Sequence, residues 1–163
     1  MTSEIRRLGD TDAAAFRAIR LEGLERCPCA FRHGLEEEID LPLDAFAARL
    51  EDEAVFGAFG DGALAGVAGF RRPPYARKAH KGELFGVYVR PVQRNGGVGT
   101  RLLEAVIGHA RDEVEQLHAA VVLEALPARR LYRRLGFVPY GIEPGGLKVG
   151  TRRFDQELLV RVF

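Results

Sequence analysis

The chain is poor in residues that staple or ligate. Cys27 and Cys29 flank Pro28 and have no second pair, so neither a zinc site nor a disulfide framework is indicated. The four histidines, His33, His80, His109 and His118, are scattered without metal-ligand spacing, and no metal is expected. Long apolar runs are lacking too: none reaches the roughly 18–20 residues that a bilayer crossing needs. The start, Met1-Thr2-Ser3-Glu4-Ile5-Arg6-Arg7, has no apolar core behind a basic segment, so no secretory signal is read there. Both absences point to a cytoplasmic protein with no membrane partner. Charge of one sign is missing as well. Against 24 basic residues stand 23 acidic ones, a net +1, which gives nucleic acid no electrostatic foothold.

What is present describes an ordinary globular chain. Of 163 residues, 47% are apolar and 29% charged, and this length suits one domain over residues 1–163. No repeat, low-complexity tract or linker divides it. Glu4 to Leu8 reads as an opening strand. Asp10 is placed to cap a helix carrying Phe16, Ile19 and Leu24, which Cys27-Pro28-Cys29 ends. A second helix is expected from near Pro42, with Phe46 and Leu50 one turn apart. Val55 to Phe59 and Ala63 to Phe70 are strands joined by the Gly60-Asp61-Gly62 turn. A basic loop, Arg71 to Lys81, leads to the strongest strand, Gly82 to Val89. The strongest helix, Val98 to about Ala110, keeps Leu102, Leu103, Val106, Ile107 and Ala110 on one face. A strand over Ala119 to Glu124 and a helix over Ala128 to Leu135 follow, with Gly136 as its left-handed stop. Strands Phe137 to Tyr140 and Glu157 to Val162 are expected to flank a Gly-rich loop. The order predicts an α/β (α+β) fold, a single-domain mixed, mostly antiparallel sheet flanked by helices.

The most informative segment is Leu84 to Leu103, LFGVYVRPVQRNGGVGTRLL. A strand ends, Pro91 begins a turn, and Arg94-Asn95-Gly96-Gly97-Val98-Gly99 opens a helix. The first turn of a helix leaves N–H groups without partners and is partly positive, and glycines remove the Cβ atoms that would hold an anion away. Walker A fails, because Gly99 is followed by Thr100-Arg101. The dinucleotide fingerprint also fails, since its third Gly falls on Leu102. A diphosphate cradle and a tight turn without ligand are both compatible with this segment alone.

Further on, Ala128-Arg129-Arg130-Leu131-Tyr132 precedes Gly136-Phe137. Taken together, the two segments resemble those of the GCN5-related N-acetyltransferase superfamily, and the resemblance covers nearly the whole chain in element order. Arg94 to Gly99 looks like the superfamily's Gln/Arg-x-x-Gly-x-Gly/Ala loop, and Ala128-x-x-Leu131-Tyr132 its second motif. One departure stands out: Ala125 occupies a position where that motif commonly carries Asn. The resemblance implies an acyl-CoA N-acyltransferase fold, acetyl-CoA as acetyl donor and an amine as acceptor, with direct transfer. It implies that Arg94, Asn95, Gly96, Gly97, Val98, Gly99 and Thr100 hold the diphosphate, and that backbone groups of Val87, Tyr88 and Val89 hold the pantetheine arm. It also suggests a homodimer.

Two catalytic candidates follow. Glu83 sits on the strand that leads to the glycine turn, and simple alternation places it on the face of Phe85, Val87 and Val89. It reads either as a base for the amine or as a salt-bridged strand-start carboxylate. Tyr132 is the candidate acid, since the resemblance brings it near the CoA sulfur; its spacing alone fits a packed aromatic equally well. Glu22, Glu36, Glu37, Glu38, Asp155 and Glu157 are the acidic choices for an acceptor pocket, and Arg152 and Arg153 suit a carboxylate-bearing one. A CoA-binding sensor without catalysis is the alternative from another class.

Overall fold

A computed structural model describes residues 3–163; Met1 and Thr2, which open the polar N-terminus, lie outside them. Seven strands make one sheet in the order β1-β2-β3-β4-β5-β7-β6. They are β1 (Glu4–Arg7), β2 (Ala54–Gly60), β3 (Ala63–Arg71), β4 (Lys81–Val89), β5 (Gln116–Val122), β6 (Val138–Val149) and β7 (Arg152–Val162). Only β4 and β5 run parallel; every other pairing is antiparallel. The mixed, mostly antiparallel sheet expected from the sequence is therefore present.

The helices are α1 (Ala13–Arg26), α2 (Leu35–Glu38), α3 (Leu43–Asp52), α4 (Val98–Glu113) and α5 (Leu126–Arg134). Asp10 does not cap α1. It opens a 3-10 turn, and Asp12 instead accepts the Gly9 N–H at 2.9 Å while holding Arg6 at 2.8 Å. Helix α4 buries Val98, Leu102, Leu103, Val106, Ile107 and Ala110, then continues one polar turn past Ala110. Its stripe covers one face of the sheet together with Tyr132 and Phe137. On the other face, Phe16, Ile19 and Leu24 of α1 and Phe46 and Leu50 of α3 pack on Val55, Leu64, Val67 and Tyr88.

Two expectations need correction. The Gly-rich stretch after Tyr140 is no loop: β6 and β7 form one long hairpin that turns at Gly150 (φ 61°), with register shifts at Pro139/Gly141 and Glu143/Leu147. Gly145 (φ 58°) absorbs the second shift, and its N–H donates to Asp155 at 2.8 Å. Nor does Glu38, one of the acidic choices for an acceptor pocket, stand open to an acceptor. Glu38 is 2% exposed.

Glu38 ties three helical segments together. Arg20 of α1 donates Nε and Nη2 to its two oxygens at 3.1 and 2.8 Å, Arg49 of α3 adds a bond at 3.0 Å, and His33 Nδ1 lies 3.1 Å away. Burial pushes this carboxyl up, but the bonds and charges of Arg20 and Arg49 outweigh it and hold it at about 2 rather than 4.5. A carboxyl depressed in the folded state contributes stability above its unfolded value and loses it as pH falls through the folded one. We predict that Glu38→Gln lowers stability at pH 7 by about 3 kcal/mol, the scale of breaking a buried pair. The variant should also lose less stability than the native chain between pH 5 and pH 2. Urea midpoints across that range test this, and parallel pH curves for the two proteins would refute it.

Candidate active site

The parallel pair is short. β4 and β5 meet only at Lys81–Gln116, Gly82–Leu117 and Glu83–His118. Beyond that point Leu84–Val89 and Ala119–Val122 no longer pair with one another, and the sheet opens into a wedge. The β3–β4 register explains where it opens: Gly69 faces Phe85 but Val67 faces Tyr88, so β4 carries an extra residue. That residue sits at Gly86, whose φ of 62° suits glycine.

This bulge corrects the expected alternation. Phe85 and Tyr88 belong to the α1 side, whereas Leu84, Val87 and Val89 pack on the α4 side. Arg32, from the segment between α1 and α2, reaches Glu83 on the α1 side. Glu83 therefore shares its face with Phe85 but not with Val87 or Val89, because one inserted residue inverts the parity of all that follow. Nor is its carboxylate bare. Arg71 Nε donates to it at 2.8 Å and Arg32 stands 3.6 Å away.

At the wide end of the wedge, the loop before α4 is built for an anion. Asn95 (φ 66°) and Gly97 (φ 77°) both take left-handed backbone, and Gly97 is the N-cap of α4. Among the described residues, no acceptor is bonded to the N–H groups from Asn95 to Thr100; the first in the helix with a partner is Arg101, to the Gly97 carbonyl at 3.1 Å. A Cβ on Gly97 would meet no protein atom within 4 Å, so the strand of amides faces open space. Unpartnered amides at the start of a sixteen-residue helix are the donor set a diphosphate needs. Arg94 is spent differently: its Nε donates to the Val89 carbonyl at 2.9 Å, tying the loop to the end of β4. Gly99 lets α4 approach its neighbours, since its Cβ would lie 3.6 Å from Leu131 and 3.9 Å from Val89. Val98 is buried beneath the loop.

Tyr132 of α5 lies in the same cluster as Val98, Val121 and the partly buried Val87 and Val89. Its ring packs on Phe137 with centroids 5.7 Å apart, and its hydroxyl has no hydrogen-bond partner among the described residues. Burial alone pushes the phenol up to about 12. Tyr88 is also buried, but its hydroxyl donates to Glu22 at 2.8 Å, and burial with that bond pushes it to about 12. Helix α5 is moored by Glu157 of β7, which accepts Arg129 at 2.9 Å and Arg133. Ala125 serves as the backbone entry to α5, accepting the Arg129 N–H at 3.0 Å.

The geometry thus brings together the glycine loop, the backbone of Val87 to Val89 and Tyr132, with Glu83 at the narrow end of the wedge on the α1 side. Sequence reasoning missed Arg20, and named Glu38 as an acidic choice for an acceptor pocket without its buried partners. The signal was there, since Arg20 lies among Phe16, Ile19, Gly23 and Leu24 on the buried face of α1, and a charge on an apolar stripe implies a buried partner.

An antiparallel sheet with one splayed parallel pair and an amide cradle at its mouth defines an acyl-CoA-binding α/β class. The profile of the acetyltransferase (GNAT) family matches residues 19–137. The chain belongs to that family and is an N-acetyltransferase with acetyl-CoA as donor. A GNAT-family acetyltransferase from Streptococcus pneumoniae is similar at 24% identity, with 99% of each chain covered and a TM-score of 0.87. The ribosomal-protein-alanine N-acetyltransferase of Brucella melitensis is 25% identical over 98% of this chain and 99% of its own, at 0.83. A phosphinothricin acetyltransferase from Sinorhizobium meliloti, solved with acetyl-CoA, is 19% identical over 100% and 89%, at 0.86. A search of curated proteins finds no match. No described helix is long and apolar enough to cross a membrane.

Gly97→Val places a β-branched residue at φ 77° and a side chain in the anion's space. We predict at least a ~10-fold loss of CoA affinity by calorimetry, with backbone strain of about 1–3 kcal/mol lowering the melting temperature. Gly97→Asn, which tolerates left-handed backbone, should fold normally and still bind more weakly. Unchanged affinity in both would reduce the loop to a structural turn.

Proposed function

We propose that residues 1–163 form a single domain that transfers acetyl directly from acetyl-CoA to a primary amine of a small molecule or peptide. The observation that carries this reading is the wedge between β4 and β5, with unpartnered amides at its mouth and the buried Tyr132 beside it. Acetyl-CoA supplies the thioester acyl group; a nitrogen–carbon bond forms as the carbon–sulfur bond breaks.

The chain's own part is positioning and proton handling. Backbone N–H groups of β4 freed by the splay can face the carbonyl oxygen, and donors aimed at developing negative charge are worth roughly 3 kcal/mol each. Glu83, directly or through water, accepts the amine's proton; Arg71 and Arg32 hold it in place. Tyr132 stays protonated at every physiological pH, since its phenol lies at about 12. Full transfer to a thiolate with an ordinary value near 8.5 would be uphill, so Tyr132 acts as a hydrogen-bond donor to the departing sulfur. Cys27 and Cys29 are free thiols; Arg94 Nη2 lies 3.9 Å from Cys27 Sγ, but a guanidinium cannot take the thiol's proton, which suits direct transfer rather than a Cys-acyl enzyme. Free thiols also accord with a reducing compartment, and we place the enzyme in the cytoplasm. A homodimer is part of the same reading: β6 is a free sheet edge that exposes Val138, Tyr140 and Ile142.

Thiol release from acetyl-CoA across an amine panel tests the reading; binding without turnover on any amine would favour a sensor. Tyr132→Phe should lower kcat by about 100-fold and barely alter acetyl-CoA affinity; an unchanged kcat removes Tyr132 from the chemistry. Glu83→Gln should lower kcat/KM by a similar factor. An unchanged kcat/KM would assign the amine's proton to another group.

A further inference from the structure

The α1 side of β4 is more cationic than an ammonium-binding pocket should be. Four guanidiniums gather there: Arg20, Arg32, Arg49 and Arg71. Three carboxylates answer them: Glu38 and Glu83 through ion pairs, and the half-buried Glu53 from beside Arg49 and Arg20. Glu38 takes Arg20 and Arg49 with Glu53 close to both, and Glu83 takes Arg71 at 2.8 Å. Four guanidiniums thus meet three carboxylates, and Arg32, whose ion pair is the longest of these, carries the surplus charge. Its only anionic contact is at 3.6 Å, and its side chain is 60% exposed. Arg20 is different. It is buried, and two of its nitrogens bind Glu38, but Nη1 has no hydrogen-bond partner among the described residues. That nitrogen stands 3.1 Å from where a Cβ on Gly86 would lie, directly beside the bulge that opens the wedge.

Both ends of this row are preorganised. The Arg20 guanidinium lies 4.9 Å from the centroid of the Phe31 ring, and that of Arg71 lies 4.8 Å from the centroid of Phe85. Stacked guanidiniums keep their N–H edges available for a planar anion. Arg32 follows Phe31 in the chain and reaches Glu83, so α1 and the segment after it place one arginine each along β4, Arg20 at Gly86 and Arg32 at Glu83.

From this arrangement we infer that the acceptor carries a carboxylate near its amine, taken by Arg32 and by Nη1 of Arg20. This deepens the acetyltransferase reading and rests on it. A carboxylate neutralises the surplus cation, and Glu83 is left to face the amine. The same guanidiniums disfavour an ammonium nearby, which raises the fraction of acceptor present as free amine. A simple alkylamine would meet the repulsion without the anchoring.

The test measures thiol release with free amino acids, their carboxamides and the corresponding decarboxylated amines, using the native chain and Arg32→Met. Calorimetry with acetyl-CoA accompanies each protein. The free acids should show kcat/KM about 10- to 100-fold above their amides, the range of a lost charge-assisted bond. Arg32→Met should collapse that ratio to within about threefold, mainly through KM. Amides or decarboxylated amines turned over as well as the acids would overturn the inference and leave the acetyltransferase reading intact. So would an unchanged ratio in Arg32→Met, or acetyl-CoA binding with no acid accepted. Failure to bind acetyl-CoA would remove the underlying reading, and this inference with it.

Discussion

A single left-handed residue in the middle of a sheet controls the architecture of this enzyme. At Gly86 the backbone gains one residue over β3, and from there β4 and β5 share no further ladder. Strand groups that would otherwise satisfy each other are left available in the wedge. The same insertion divides the side chains of β4: Phe85 and Tyr88 go to the α1 layer, and Val87 and Val89 go to the α4 layer. The two faces of one strand thus carry the two helical layers of the fold.

Charge is arranged to hold the helices to those faces. Glu38 fixes α1 and α3 through Arg20 and Arg49, and Glu157 fixes α5 to β7 through Arg129 and Arg133. Each carboxylate is almost fully buried and shared between two guanidiniums, so the cost of burial is offset by several charge-assisted bonds at once. In a chain with so few lysines, the planar guanidinium serves as the structural clamp. Tyr132, in contrast, is surrounded by apolar neighbours, which keeps its proton in place.

Much of this was readable before any coordinates. The apolar stripe of α4, the hairpin at Gly60 to Gly62 and the anion loop from Arg94 to Gly99 are local patterns, each set by spacing within a few residues. The loop's amides are open as its glycines predicted. What escaped was non-local. Bulges change strand parity without a mark in the composition, so the partners of Glu83 were assigned to the wrong face. Glu38 looked like one of several acids open to an acceptor, because Arg20 and Arg49 reach it only after α1, α2 and α3 pack. The strand continuity across Pro144 to Gly146 was hidden for a similar reason: only the pairing of Ile142–Glu143 and Leu147–Val149 with β7 carries β6 past that stretch, which bulges between them.

The seam between β4 and β5 has a mechanical consequence. Three ladder pairs, with the His80 carbonyl accepting from Glu115 and Gln116 just before them, join the strands of the hairpin-built half, β1 to β4, to those of β5, β7 and β6. Continuity across it rests on α4, whose Leu102, Leu103 and Val106 bridge both halves from one side. Such a molecule has two cooperative units sharing a narrow border. Amide hydrogens of Lys81 to Glu83 and Gln116 to His118 would then exchange through partial opening of that border, while those of β2 and β3 wait for global unfolding. Filling the wedge would fasten the two units together, so ligand occupancy would register as slowed exchange far from the ligand itself.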